Sequence, residues 1–519
     1  MALAATRRRA LRASVFLIAA VAAIGGLVFG FDIGGSGGSF VMVGFQTQFG
    51  WIDADRVSVK SDEQIAGETG WISALLTLGA AVGAFPSGRL ADAVGRKPCI
   101  IVSAFTFSVG AGVQAAAHGT PEQALTILYV GRFVGGVGIG MLAATVPVYI
   151  AEASPEHARG MLSTLWQLAI VIGIVLASLV NLPLARWDAG WRLTYGGNGI
   201  FAVALVLQMI CMPESPRWLA ARGREAELRT VLARLRHADE VESEMQQILA
   251  KAAQEAEAGI ASWHDLFGHA ASMRHRLLVG VGLMTFSTFS GINAIMFFAP
   301  RILTNYFSPT VALYGTLGIN CINFGATLIT FFGVDRLGRV TLLVAGGTSM
   351  MVCHVIVAAL ALAPPSIGVG VAILALSCVF VCSFAYSLGP IAWMVNSEIF
   401  PMPHRSKAMA LTSATNWLTN TLLGKVFPLL PLPLAFGFFA VCCLAGCCLC
   451  YFAQPETTAL SLEQIGTAFA THRPKLRRRF WTEARRNMDN GLIAGAVVQP
   501  VDPASVVVAA KVVEMSCVS

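Results

Sequence analysis

Two opposite charges, Asp32 and Arg132, stand deep inside apolar runs of this 519-residue chain. A charge in such a place is costly and marks function by default, and the best partner for each is the other. Paired, the carboxylate needs no proton; parted from the guanidinium in an apolar surround, it takes one up. Together they could work as a proton switch. Other acids and bases recur as matched sets: Asp92 with Arg96 and Asp335 with Arg339, Glu152 with Arg159 and Glu398 with Arg405, and Glu214 and Glu456, each following a proline. No nucleophile–base arrangement and no metal-ligand cluster is apparent, so neither an enzyme nor a resident metal is expected.

The elements that must position these residues follow from composition. Only 65 residues are charged, 36 basic and 29 acidic, while 55% are hydrophobic. A soluble domain carries about 25% charged residues. Nineteen of the charges crowd between Glu214 and Arg276, and long stretches elsewhere hold none. Soluble, nucleic-acid-binding and disulfide-scaffold classes are excluded; a multi-span membrane protein remains. A window of about 20 apolar residues predicts six helices before the charged stretch, at 14–36, 70–90, 98–117, 125–150, 161–182 and 194–212. Six more follow, at 277–299, 311–333, 340–361, 369–396, 407–429 and 432–453. Apolar runs without alternation exclude a barrel. By helix rise, Asp32 lies about 27 Å up the first span and Arg132 about 10 Å below the outer end of the fourth, depths that permit pairing.

Twelve spans put both termini on one side. Arg7, Arg8, Arg9 and Arg12 precede the first, and Arg473, Lys475, Arg477, Arg478 and Arg479 follow the last. The positive-inside rule assigns that side to the cytoplasm, so the net charge of +7 reads as topology. Cys442, Cys443, Cys447, Cys448 and Cys450 fall in the last span and read as small packing residues. The matched sets recur 243 residues apart (Asp92 to Asp335), 246 apart (Glu152 to Glu398) and 242 apart (Pro213 to Pro455). One near-constant offset makes the chain two parallel six-helix repeats. That is the plan of alternating-access carriers, with the site at the midplane between the halves. The recurrent charges would pair when the cytoplasmic side closes and separate when it opens. The expected organisation is a cytoplasmic N-terminus (1–13), an N-terminal six-helix half (14–212), a cytoplasmic helical linker (213–276), a C-terminal six-helix half (277–453) and a largely disordered cytoplasmic tail (454–519).

Four stretches carry a resemblance: Gly-Arg-Leu-Ala-Asp-Ala-Val-Gly-Arg-Lys (88–97), Pro-Glu-Ser-Pro-Arg (213–217), Gly-Ile-Asn-Ala-Ile-Met-Phe-Phe-Ala-Pro (291–300) and Pro-Glu-Thr (455–457). Jointly they resemble the sugar porter family of the major facilitator superfamily, over roughly residues 14–465. Gly-Phe-Asp-Ile-Gly-Gly-Ser-Gly-Gly (30–38) is similar to the first helix of plant and algal monosaccharide–proton symporters, the hexose carriers. Those carry Asp where facilitative glucose transporters usually carry Asn. The resemblance implies an all-α membrane protein with the major facilitator fold. It also implies residence in the plasma membrane and import of a monosaccharide, a hexose such as glucose, with protons. Asp32 and Arg132 become the proton-coupling pair. Gln167, Asn293, Asn323, Trp393 and Asn416 become sugar contacts, with Ile174 lining the site and Phe29 and Ile33 adding apolar contact. The proton is a co-substrate, no cofactor is implied, and a monomer in the bilayer is expected to suffice.

Two departures qualify this. The family's usual Gln pair before Gly-Ile-Asn is Ser287 and Thr288 here. At these substrate-facing positions, two long amides worth about 0.5–1.5 kcal/mol each in hydrogen bonding are lost. Pentose, polyol or low-affinity roles become open. The loop after the first span lacks the cysteine of the symporters' disulfide-linked lid and is expected to seal less well. Gly136-Val-Gly138-Ile-Gly140 reads as helix packing rather than a dinucleotide loop, and His354 as packed or pore-facing rather than a relay. A facilitative carrier on the same fold is the alternative, and a non-transporting sugar receptor a more distant one.

Overall fold

Ser61 and Thr120 show how the long helices begin. Each accepts a bond from the backbone three residues on, and Gln64 or Gln123 reaches back, closing a capping box. The second span therefore starts at Asp62, eight residues earlier than its apolar run, and brings Glu68 and Thr69 onto the helix. The structure is a computed structural model that describes residues 13–53, 55–155, 158, 162, 164–258, 263–268, 272–333, 338–457, 464–465 and 468–469. Expectations for Arg159, Asp335, residues 1–12 and most of the tail fall outside the described residues.

Helices Ala13–Ser39, Asp62–Val94, Arg96–Ala115, Pro121–Ala153, Leu165–Leu184 and Gly190–Cys211 are the first six spans. Met273–Leu303, Pro309–Gly333, Arg339–Leu360, Ile367–Ile399, Met402–Val426 and Leu432–Phe452 are the second six. This is the major facilitator architecture, two six-helix halves with a helical linker. Among the described residues, eleven helices are long and apolar enough to cross a membrane. Met402–Val426, the eleventh span in order, is more polar because Thr412, Thr415, Asn416, Thr419, Asn420 and Thr421 lie along it. The only strand-like contact among the described residues is a single bridge between Ile52 and Ser58.

Two spans expected to be continuous are broken. The seventh stops at Phe289 and restarts at Ile292, with Gly291 at φ 89° between. The tenth breaks at Ser387, whose Oγ donates to the carbonyl of Ser383 at 2.5 Å. Broken helices at membrane depth are tolerated where protein or a cavity satisfies the freed backbone.

Small residues set the distance between spans. A Cβ on Gly136 would stand 2.1 Å from the Leu76 carbonyl oxygen, and one on Gly140 2.0 Å from that of Ala80. Gly136 and Gly140 are thus where the fourth span meets the second, while Gly138 between them faces Ser103 and Phe107 of the third. The same closeness joins the twelfth span to the ninth, where Cys447 packs against Gly347. The loop after the first span is filled by rings: Phe45 packs on Phe49 at 4.5 Å and on Trp191 at 5.6 Å, and Trp51 donates to Glu68 at 2.6 Å. Aromatic packing covers the ground expected to be loosely sealed.

The linker helices Pro216–Ala221, Glu225–Leu235 and Val241–Ala258 rest on the first half. Leu228 and Leu232 share a core with Val15 and Tyr149. Arg236 donates to the Ala153 carbonyl at 3.1 Å, capping the fourth span, and is gripped by Glu244 at 2.6 and 2.9 Å. The side bearing these helices is the linker face below, and its opposite the far face.

Gly140→Leu is expected to lower the thermal midpoint of the purified protein sharply or abolish folding, since overpacking costs about 1–3 kcal/mol even where neighbours can shift. Gly197→Ala, with nothing within 4 Å of the added carbon, should leave the midpoint within about a degree of the parent or raise it slightly.

Candidate functional site

The first and fourth spans bring Asp32 and Arg132 together. Arg132 Nη1 donates to Asp32 Oδ2 at 2.7 Å, with the two side chains 0% and 2% exposed. Arg132 Nε donates to the Ile72 carbonyl at 2.9 Å, which ties the pair to the second span. The guanidinium lies over the Tyr195 ring, 5.8 Å from its centroid. Its Nη2 finds no partner among the described residues, nor do Tyr195 Oη and Asn198 Oδ1 on the sixth span. A buried ion pair with polar atoms left over is not built for stability alone, because desolvation offsets most of its Coulombic gain.

A second polar cluster gathers where the seventh span breaks. Thr288 Oγ1 receives bonds from Asn416 Nδ2 at 3.3 Å, Thr419 Oγ1 at 3.1 Å and Asn420 Nδ2 at 3.3 Å. Asn293, just past the break, donates to Asn420 Oδ1. Asn420 also donates to the Asn416 carbonyl at 2.9 Å. The break lets one span present Thr288 from one piece and Asn293 from the other. Neutral amides and hydroxyls of this kind match sugar hydroxyls and bear no charge. Ser287 is buried beside them, and its carbonyl accepts from Ser290 Oγ at 2.7 Å.

The other expected contacts fall on neighbouring surfaces. Phe29 meets Trp417 edge-on at 5.6 Å across the two halves, and Ile33 is buried one turn further along the first span. Asn320 donates to Ser178 at 2.7 Å, joining the eighth span to the fifth. Ile174 and Asn323 lie one turn from that bond toward the linker face, and Gln167, half-buried, about 16 Å from it by helix rise. Trp393 is 40% exposed on the second piece of the tenth span. Asn420 and Trp417 were not anticipated. Asn420 sits four residues after Asn416 on the same helix face, a spacing that could have found it.

On the far face the halves are closed on each other. Arg301 donates to Thr69 at 2.8 Å, Lys425 to the Gly67 carbonyl at 3.1 Å, and Thr421 to Thr77 at 3.1 Å. Phe40 stacks on Phe298 at 6.0 Å. The gap bordered by Thr77, Asn293 and Asn420 is too narrow for a water molecule.

The linker face carries the repeated charges. Arg96 holds Glu152 at 2.9 and 3.2 Å and Asp92 at 2.9 Å, while Ser215 donates to Glu152 at 2.5 Å. Glu214 accepts from the backbone N–H groups of Arg96 at 3.0 Å, Lys97 at 3.2 Å and Ser215 at 2.7 Å. Burial pushes the Glu214 carboxyl above its ordinary range, and those N–H bonds oppose the rise. Gly95 has φ 109°, and a Cβ there would stand 2.2 Å from Glu214. The second half repeats the device. Arg339 donates to Glu398 and, at 3.0 Å, to Thr457; Glu456 accepts from the N–H groups of Arg339 at 2.9 Å and Val340 at 3.0 Å. Arg405 donates to the Phe400 carbonyl at 3.2 Å. Glu214 and Glu456 thus each meet a helix N-terminus, where the dipole favours a carboxylate. Each described set ties helix ends within one half, so rocking the halves need not break it, whereas the charges were expected to separate when the cytoplasmic side opens.

A family profile described as "Sugar (and other) transporter" matches residues 18–469. The chain belongs to the sugar transporter family. Among curated relatives of this family member, "H(+)/hexose cotransporter 2" of Parachlorella kessleri is 33% identical over 88% of this chain and 87% of its own length. "Sugar transport protein 1" of Arabidopsis thaliana is 30% identical over 88% and 90%. The xylose transporter XylE from E. coli, in a partially occluded inward open conformation, matches with a TM-score of 0.73 and 25% identity. That match covers 86% of this transporter and 99% of XylE.

The transporter's ion pair makes an asymmetric prediction. Asp32→Asn strands the Arg132 charge, whereas Arg132→Met leaves a carboxyl that can neutralise itself by taking up a proton. Breaking a buried pair costs about 3–5 kcal/mol. Asp32→Asn should lower the thermal midpoint more than Arg132→Met, and the double variant should recover most of the loss.

Proposed function

We propose that the chain imports a monosaccharide with a proton by alternating access between its two halves. The observation that carries this is the buried Asp32–Arg132 pair, one turn from Phe29 on the helix that faces the amide cluster. The far face is the outside, the linker face and both termini are cytoplasmic, and the membrane is the plasma membrane. Names of relatives such as "H(+)/hexose cotransporter 2" support the same substrates.

The cycle follows from the contacts. With the far face open, Asp32 takes a proton from outside, which dissolves its pairing with Arg132. The first helix is then free to swing, and Phe29 and Ile33 close over a sugar held by Asn293, Asn416 and Asn420. Gln167, Ile174 and Asn323 line its way toward the linker face, and Trp393 offers an indole face there. As the sugar leaves, the proton follows and the pair forms again. Asp92, Arg96, Glu152 and Glu214, with Arg339, Glu398 and Glu456, keep each half rigid while it rocks; Arg159, Asp335 and Arg405 belong to the same repeated sets. No step needs a cofactor, and one chain in the bilayer contains every group.

Thr288 narrows the substrate. Its hydroxyl is engaged by the eleventh span, so it has little to offer a sugar. A hexose would bind weakly, and smaller pentoses or polyols compete on nearer terms. One observation favours a second function. The bond from Arg132 to Ile72 makes the pair resemble a fixed strut, as a uniporter would need.

Flux measurements separate these. In liposomes with an acidic exterior, labelled sugar should accumulate, and an uncoupler should reduce the gradient to equality. Asp32→Asn, normalised to protein, should abolish accumulation while retaining sugar exchange. Accumulation that survives the uncoupler would exclude symport. Ser287→Gln adds an amide at the site and should lower KM by about two- to tenfold, the worth of one hydrogen bond; an unchanged KM would remove Ser287 from the site.

A further inference from the structure

The break in the seventh span leaves a carbonyl without a helical partner, and a histidine takes it. His354 Nε2 lies 2.7 Å from the Ser290 oxygen. Since a carbonyl only accepts, Nε2 carries the hydrogen. The imidazole is 1% exposed on the ninth span, and Phe380, Phe436 and Phe439 enclose it at 4.7, 5.5 and 5.5 Å. Three rings leave it one orientation, aimed at the break. Gly291, next in the chain, has φ 89°, and a Cβ there would stand 2.8 Å from the Phe439 ring. The histidine and its cage therefore meet the only two residues between the pieces of the seventh span.

The cage also reaches the far gate. Phe439 stacks on Phe427 at 5.8 Å, Phe427 packs on Phe298 at 5.4 Å, and Phe298 stacks on Phe40, just past the end of the first span, at 6.0 Å. Phe298 belongs to the piece that starts after the break. The tilt of that piece sets both whether Phe298 meets Phe40 and whether Asn293 meets Asn420.

We propose that His354 is a positioning residue: its hydrogen bond to Ser290 fixes the angle between the two pieces of the seventh span and so holds the far gate closed. Its consequence for sugar binding, through Asn293, rests on the transport function proposed above; the gate itself does not.

The test reads the gate without sugar. Val41→Cys, at the far end of the first span, is labelled in membranes with an impermeant maleimide, and its rate is followed by mass at that residue. His354→Leu removes the donor at similar volume, and His354→Gln keeps an N–H of similar reach. His354→Leu should label about tenfold faster than the parent, and His354→Gln within about threefold of it, as one buried hydrogen bond would give. If the Leu variant does not reach the membrane, His354→Asn, too short to bridge to Ser290, should label as the Leu variant would. A parental rate in the Leu or Asn variant overturns the proposal, as does a Gln variant as fast as Leu. Labelled-glucose uptake in the same membranes separates the two claims. No glucose uptake by the parent together with a tenfold change in labelling would sink the hexose reading and sustain the positioning role.

Discussion

One buried ion pair constrains the rest of the molecule. Arg132 cannot shed its charge, so the surroundings must hold a counter-charge against it or leave a costly unpaired cation. Asp32 fulfils that need from a helix that also carries Phe29, and the two roles of that helix become one. A change in the protonation of Asp32 alters how firmly the first span is held to the fourth. The first span also packs on the fifth so closely that a Cβ on Gly30 would fall 1.9 Å from the Ile170 oxygen. In the proposed cycle a helix this tightly seated would respond to a lost ion pair by moving as a body, since packed interfaces switch rather than deform.

The amide cluster depends on a second constraint, the broken seventh span. An unbroken helix would place Thr288 and Asn293, five residues apart, about 140° apart around its axis. With Gly291 in the left-handed region, both side chains reach the eleventh span. The cost of breaking the ladder is offset locally, by the Ser290 hydroxyl bonding back to Ser287 and by His354. The linker face shows the same economy: a glycine, a carboxylate and a helix N-terminus, used once in each half.

Much of this was legible from residue types. Span count followed from apolar length, and the pairing of Asp32 with Arg132 from depth along two antiparallel helices. The offset near 243 residues located the repeated charges, yet their partners were not legible. Spacing does not say which helix ends are neighbours, and the described sets close within each half. Ser215 and Thr457 complete those sets and were hidden because a hydroxyl carries no charge pattern. Trp393 was singled out by resemblance, while the structure sets Trp417 against Phe29. Neither the apolar surround of Trp393, Ile-Ala-Trp-Met-Val, nor the polar one of Trp417, Thr-Asn-Trp-Leu-Thr, says which way an indole points. The breaks at Gly291 and Ser387 were missed because hydropathy sums across them without interruption.

Proton movement tests the central claim most directly. Sugar is added to liposomes of the purified protein in weak buffer, with a potassium leak to clamp the voltage, and external pH is recorded. Coupling through Asp32 predicts an immediate external alkalinisation proportional to sugar entry, absent in Asp32→Asn. Sugar entry of the same size with no change in external pH would contradict it, leaving the ion pair as structure alone.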